Sequence, residues 1–182
     1  YGEIDTIADA WHKAIEELPT ECSVILNSDD PRVAQLTSNH DQVTYYGIEA
    51  QEPSIPGPER TADSQRCPRC GIEYNYHHCY YGHLGHYSCP NCGFTRPLPK
   101  VSATSVIEQN IQDTQVTVAT GVDTAEIRLS LPGLYNIFNA LAAISVGLSQ
   151  GVDLEICQRA VENFQGIPGR MELVIREPFK VF

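Results

Sequence analysis

Four cysteines stand in two near-identical hooks, Cys67-Pro68-Arg69-Cys70 and Cys89-Pro90-Asn91-Cys92, each followed by a glycine, Gly71 or Gly93. Residues 71–88 separate the hooks. Two thiolates three residues apart can grip one metal ion from a single tight turn, and two such turns close a tetrahedron. The spacing therefore predicts a zinc site with Cys67, Cys70, Cys89 and Cys92 as ligands. The glycine after each hook lets backbone amides turn toward the sulfurs without a Cβ clash. Four thiolates leave no position for water, so the predicted site is structural rather than catalytic. Cys79 and four histidines, His77, His78, His83 and His86, lie between the hooks and offer substitute ligands.

Three quieter groups could also do chemistry. Asn136 and Asn139 are three apart, which puts both amides on one face of a helix's first turn. Two amides beside helix N-terminal N–H groups can read a purine edge or an approaching phosphate. From spacing alone, helix capping and packing is the favoured reading of the same pair. Arg170 follows a tight Gly-Ile-Pro-Gly turn and can clamp phosphate oxygens from there, although a lone arginine also suits a surface ion pair. Asp29 and Asp30 could bind a cation or a ribose, and helix capping explains them as well.

These groups must be positioned by an α/β framework. Residues 5–18 read as an amphipathic helix, with Asp5 able to cap it, Ile7, Ala8, Trp11, Ala14, Ile15 and Leu18 on one face, and Pro19 ending it. A short apolar strand at 23–26 runs into Asn27-Ser28-Asp29-Asp30-Pro31, which opens a second helix near 32–36. Another strand follows at 42–48. Helix, strand, helix, strand is the rhythm of an α/β sheet. Residues 51–63 hold Pro53, Pro56, Gly57 and Pro58 among charges, the composition of a linker. The unit that follows, to about residue 99, is rich in Tyr and His. It is too small to bury much surface, so metal binding must supply most of its folding energy, with the aromatics covering the thiolates. Strands are expected at 115–119 and 126–129, joined by a turn at 121–123. The strongest helix runs over 134–149, with Ala140, Ala143 and Gly147 as a small-residue stripe and Gly151 suited to its end. A further helix runs from Asp153 to about Phe164, then a turn at 166–170 and a strand at 171–175.

Composition narrows the function. The chain has 182 residues, 42% hydrophobic, with a formal net charge of −11. That acidity argues against a nucleic-acid surface over the chain as a whole, and residues 51–100 carry balanced rather than basic charge. No apolar run approaches the ~20 residues of a membrane helix. Paired C-x-x-C hooks without a secretion signal favour reduced thiols in a cytosol. Cys22 and Cys157 sit in apolar stretches and are expected in the core. The only methionine is Met171 and the chain opens at Tyr1, which reads as a piece of a longer protein.

Taken together, three segments resemble the Mur ligase family: the strand ending in N-x-D-D-P at 27–31, the glycine-led helix with N-x-x-N at 133–139, and G-x-x-G-R-x-E at 166–172. The four-cysteine unit, the opening YGEIDT and the stretch YYGHLGHYSCPNCGFTRP resemble one branch of that family. The resemblance implies parts of a central, P-loop-type ATP-binding domain in residues 1–50 and 101–182, a sheet flanked by helices, with an inserted zinc ribbon at 51–100. It implies that Asn136 and Asn139 contact the adenine of ATP and that Arg170 approaches the γ-phosphate, with Mg and ATP as cofactors of the full-length enzyme. The implied activity is activation of a carboxylate as an acyl phosphate, followed by attack of a nitrogen nucleophile. In this branch the carboxylate is the α-carboxylate of D-isoglutamate in lipid II, at the inner membrane face, and the nucleophile is ammonia from a GatD-type glutaminase subunit. No G-x-x-x-x-G-K-[ST] loop is present in these residues, so this piece alone is expected to be inactive. The competing reading is a binding module, in which the zinc ribbon recruits a protein and the α/β part is its scaffold.

Overall fold

A computed structural model describes residues 3–37, 40–55, 57, 65–108, 114–165, 174–176 and 179–181, the last two segments by backbone alone. The first helix, α1, spans Glu3–Glu16. It is followed by strand β1 (Val24–Asn27), the one-turn helix α2 (Pro31–Ala34) and strand β2 (Val43–Ile48). A hairpin of β3 (Asn75–Tyr81) and β4 (Leu84–Ser88) comes next, then β5 (Val101–Glu108), β6 (Thr114–Ala119) and β7 (Thr124–Leu129). Helices α3 (Leu134–Ser149) and α4 (Leu154–Glu162) precede a short hairpin of β8 (Val174–Arg176) and β9 (Phe179–Val181).

The main sheet has the order β1-β2-β5-β6-β7. β1, β2 and β5 are parallel, β6 is antiparallel to β5, and β7 is antiparallel to β6. β7 therefore runs with β1, β2 and β5, and the carboxyl ends of these four strands share one edge. Helix α3 covers one face. Its Ile137, Leu141 and Ile144 are fully buried against Ile48, Val101, Val116, Val118 and Ile127. The period-2 burial of β6, with Thr114, Val116 and Val118 inward, is that of a strand packed on one side.

The long helix has the predicted limits. Gly133 enters at φ +94, and the far end closes with Gly151 at φ +77, where Gly151 N donates to Leu148 O and Val152 N to Gly147 O, a Schellman end. Gly147 serves a second purpose, because a Cβ there would stand 2.5 Å from Cys157 Sγ on α4. The small-residue stripe thus lets α4 approach.

Several expectations differ from the structure. The apolar face of α1 is not buried: Ile7 and Trp11 are 51% and 56% exposed, and only Ala8 and Ile15 pack against the Val24, Leu26 and Leu36 cluster. Asp5 does not cap the helix but lies in its first turn and pairs with Arg32. The second helix is one turn at 31–34 rather than 32–36. Cys157 is buried, whereas Cys22 is only half-buried. β5 was not anticipated, because its sequence VSATSVIE alternates Ser and Thr with apolar residues and hides a central strand. The turn at 166–170, with Arg170, lies outside the described residues.

Candidate functional site

The two cysteine hooks fold alike. Cys67 N donates to Ile72 O at 2.8 Å, and Cys89 N donates to Phe94 O at 2.7 Å. Gly71 N returns to Cys67 O, and Gly93 N to Cys89 O. Both glycines sit in the left-handed region, at φ +75 and +74, which is why the fifth residue of each hook is glycine. The two turns face each other, so Cys67 Sγ lies 3.6 Å from Cys92 Sγ and Cys70 Sγ 3.4 Å from Cys89 Sγ. All four sulfurs lie within 4.8 Å of one another. Tetrahedral coordination at about 2.3 Å per metal–sulfur bond needs sulfurs about 3.8 Å apart, so this cluster fits one ion.

The thiols already divide their protons unequally. The Ile72 amide, with help from Asn91, draws the Cys70 thiol down to about 6. At Cys92 the Phe94 amide pulls the same way, but burial and the three neighbouring thiols outweigh it and push the thiol up to about 11. A cation among the sulfurs would favour the thiolate form of all four. Tyr74, Tyr76, Tyr87 and Phe94 pack around Cys67, Cys70 and Cys89, as the aromatic content suggested. Arg69 lies over the Phe94 ring at 4.1 Å. Cys79 is not at the cluster, since its Sγ bonds to Gly82 O. His86 is turned away to the Ile48 carbonyl, and His83 to Asp30.

The second site is a cavity of about 450 Å³ beside the start of α3. Asn136, Asn139, Ala140 and Ala143 form one wall, and Ala160, Val161 and Phe164 of the α4 region form another. The structure thus brings both asparagines into one largely apolar space of the size that holds a small ligand. Asn136 is buried and donates to Pro132 O at 2.7 Å, which fixes the Leu131-Pro132-Gly133 entry. Asn139 is exposed and donates to Asn136 Oδ1 at 3.4 Å. Asn136 thus holds the entry turn, and its side-chain oxygen orients the Asn139 amide.

A third constellation escaped the sequence reading. Asp29 is completely buried at the carboxyl end of β1. Its Oδ2 accepts from Ile48 N at 2.7 Å, and its Oδ1 takes the Arg96 guanidinium. Arg96 also donates to Glu49 at 2.6 Å and to Ile48 O at 3.1 Å. Gly47 makes room for this pair, because a Cβ there would lie 2.7 Å from the guanidinium and 2.9 Å from Asp29 Oδ1. Burial pushes the Asp29 carboxyl up to about 6 against the opposing pull of Arg96. Its neighbour Asp30 is the helix cap, accepting from Arg32 N and Val33 N. Burial pushes Asp30 up, but the His83 bond and those two amides hold it below the ordinary carboxylate value. No local sequence pattern ties Arg96 to a partner 67 residues away.

No family model matches the chain. Over 172 residues, 94% of the chain, it is 28% identical to the lipid II isoglutaminyl synthase (glutamine-hydrolyzing) subunit MurT of Streptococcus pneumoniae, of which it spans 37%. A pseudomurein peptide ligase type C from Methanothermus fervidus superposes with a TM-score of 0.74 and 31% identity over 86% of the chain and 30% of that protein. These likenesses support a Mur ligase family segment that resembles MurT. Other Mur ligases agree: the UDP-N-acetylmuramate–L-alanine ligase of Aquifex aeolicus is 22% identical over 95% of the chain and 28% of its own length. MurF from Acinetobacter baumannii, at 18% identity and a TM-score of 0.62, shares the fold. This Mur-type segment spans about a third of the length of these relatives. Among its described residues no helix is long and apolar enough to cross a membrane.

Proposed function

We propose that the chain is part of an ATP-dependent, amide-forming ligase of cell-wall synthesis, whose α3 cavity receives the adenine of ATP. Asn139 would read the purine edge from a position set by Asn136, and Arg170 would approach the γ-phosphate. The cavity supports this reading: it lies at the carboxyl edge of a mixed α/β sheet, where such folds bind ligands, and it is walled by the small residues a flat ring needs. Cys67, Cys70, Cys89 and Cys92 would hold a structural zinc, a closed site that supplies folding energy and no chemistry. Residues 51–100 are then a zinc ribbon inserted between β2 and β5, flanked by the two parts of the ATP-binding domain.

The MurT likeness, spread over 94% of the chain, carries the finer reading. The carboxylate activated as an acyl phosphate is the α-carboxylate of D-isoglutamate in lipid II, and ammonia comes from a GatD-type glutaminase subunit. A second reading rests on the 31% identity to the pseudomurein peptide ligase, in which an amino-acid amine replaces ammonia as the nucleophile. The full-length protein, given ATP and a muropeptide acceptor, separates them. ADP release that depends on glutamine and the glutaminase subunit supports amidation, and release that depends on a free amino acid supports peptide ligation. Release with neither would refute both. The protein-binding-module reading predicts no nucleotide affinity, which equilibrium binding of a fluorescent ATP analogue to the full-length protein measures directly.

A further inference from the structure

The four-cysteine unit does more than fold on its own staple, because its hairpin and exit strand grip the carboxyl ends of β1 and β2. Gly85 N, in β4, donates to Asp29 O at 2.9 Å. Tyr80 Oη, in β3, reaches the carbonyls of Ile48 and Ala50 at 3.1 and 2.9 Å. His86 Nε2 donates to the same Ile48 carbonyl at 2.8 Å. Arg96, seven residues beyond Cys89, adds the buried pair with Asp29 and bonds to Glu49 and Ile48 O. His83, at the hairpin turn, meets Asp30 at 3.4 Å. One backbone carbonyl, Ile48 O, thus collects three donors from the unit, and one carboxylate, Asp29, collects its arginine. Tyr80 also belongs to the main core, together with Ile48, Ala50 and Ile137.

We infer that the four-cysteine unit is a brace for the carboxyl edge of the sheet, with Arg96 and Tyr80 as its positioning residues. Metal occupancy at Cys67, Cys70, Cys89 and Cys92 then controls the order of residues 27–31 and 46–50. The inference rests on the zinc reading. The chemistry is mechanical: bound metal fixes the two hooks, the second hook fixes the Phe94–Arg96 exit strand through Cys89 N→Phe94 O and Arg96 N→Tyr87 O, and the exit strand delivers the guanidinium to Asp29. Helix α3 meets the unit only through the core packing shared by Tyr80 and Ile137, and α3 and β7 make none of these hydrogen bonds, so they should not respond.

Amide hydrogen exchange on the 182-residue chain tests this. Cobalt titration comes first. Absorption bands of tetrahedral thiolate coordination establish that the site binds metal, and their absence would sink the zinc reading itself, together with the brace that depends on it. In the zinc-loaded chain, stripping with a chelator should speed exchange about tenfold or more at 27–31 and 46–50 as well as at 65–96, and leave 134–149 unchanged. Arg96→Met and the milder Tyr80→Phe, both still cobalt-binding, should speed exchange at 46–50 while the amides of Gly71 and Gly93 stay protected. Metal-dependent exchange confined to 65–96 would overturn the brace, and so would loss of protection throughout α3, which would make the unit an inseparable part of the core. Unchanged exchange at 46–50 in both variants would overturn the roles of Arg96 and Tyr80.

Discussion

Replacing Arg96 by methionine should destabilise the chain in a way that depends on pH. The Asp29 side chain is 0% exposed and that of Arg96 8%, so water screens the pair little. Removing one partner of a buried ion pair costs about 3–5 kcal/mol, because the other charge is left uncompensated. The sign of the pH dependence follows from the carboxyl. Even with Arg96 present, burial raises Asp29 from an ordinary 3.8 to about 6. A carboxyl raised in the folded state favours folding below its unfolded pKa, and that contribution is lost as pH rises through the folded value. A rise of this size withholds about 3 kcal/mol above pH 6. Without the guanidinium the carboxyl must rise further, so Arg96→Met keeps a neutral Asp29 at little cost at pH 5.5, whereas at pH 8 it must either bury an anion or take up a proton that the unfolded chain does not carry.

Urea denaturation of the zinc-loaded chain, followed by far-UV circular dichroism at intervals from pH 5.5 to 8, measures this. Each variant is compared with the wild type at the same pH, since thiolate protonation loosens metal in both. The deficit of Arg96→Met should be largest at pH 8 and shrink toward pH 5.5. Asp29→Asn combined with Arg96→Met should recover much of it and flatten the profile, because the amide can still accept from Ile48 N without a charge. A deficit below about 1 kcal/mol at pH 8 would mean the pair is not buried as described. So would a deficit that does not change with pH, or a double variant at least as unstable as the single one.

Other expectations follow from the same geometry. Elemental analysis should find one zinc per chain, and Cys67→Ser or Cys92→Ser should abolish it. Gly147→Val, driven against Cys157 Sγ, should cost about 1–3 kcal/mol by overpacking, measured by thermal unfolding, and Gly147→Val with Cys157→Ala should recover part of it. Ile144→Ala, emptying a fully buried site, should cost about 2–5 kcal/mol in the same assay. In the full-length protein, Asn139→Ala should weaken ATP-analogue binding without a change in melting temperature, whereas Asn136→Ala should lower both, because it also loses the bond to Pro132 O.

What was legible in the sequence was what is local. The hooks announced themselves because each is a complete turn, ligands and glycine included. The long helix was bounded correctly because Pro132-Gly133 and Gly151 mark its two ends and Ile137, Leu141 and Ile144 repeat at helical spacing. The one-turn helix was signalled by Asp30 and Pro31, but nothing local says that it stops at Ala34. β5 stayed hidden since Ser102, Thr104 and Ser105 break the apolar pattern of a strand that is central by topology rather than by composition. The exposed face of α1 shows the converse: Ile7 and Trp11 carry the signature of a buried stripe, yet nothing among the described residues covers them. The site divided in the same way. Asn136 and Asn139 were found by helical spacing, while Asp29–Arg96 spans three segments and exists only in the fold.

That division explains why Asn27-Ser28-Asp29-Asp30-Pro31, whose two carboxylates could also suit a cation or a ribose, is better understood as a joint. Asn27 Oδ1 accepts from Asp29 N at 2.9 Å and sets the turn. Ser28 Oγ donates to Tyr46 O and ties the turn to β2. Asp29 then points under the sheet and Asp30 out to the helix, and Pro31 occupies the first helical position, where its missing N–H costs nothing. Both oxygens of Asp29 are engaged, by Ile48 N and Arg96. Those of Asp30 are engaged too, by the two helix amides and His83. A cation or a ribose hydroxyl at either carboxylate would have to displace a buried partner already in place, and an unpaired buried guanidinium or amide is the larger loss. Asn27, Ser28, Asp29 and Asp30 thus spend their polar groups on the turn and its helix, on β2 and on the four-cysteine unit. The α3 end of the same edge differs, since Asn139 is exposed there beside a cavity that no side chain fills.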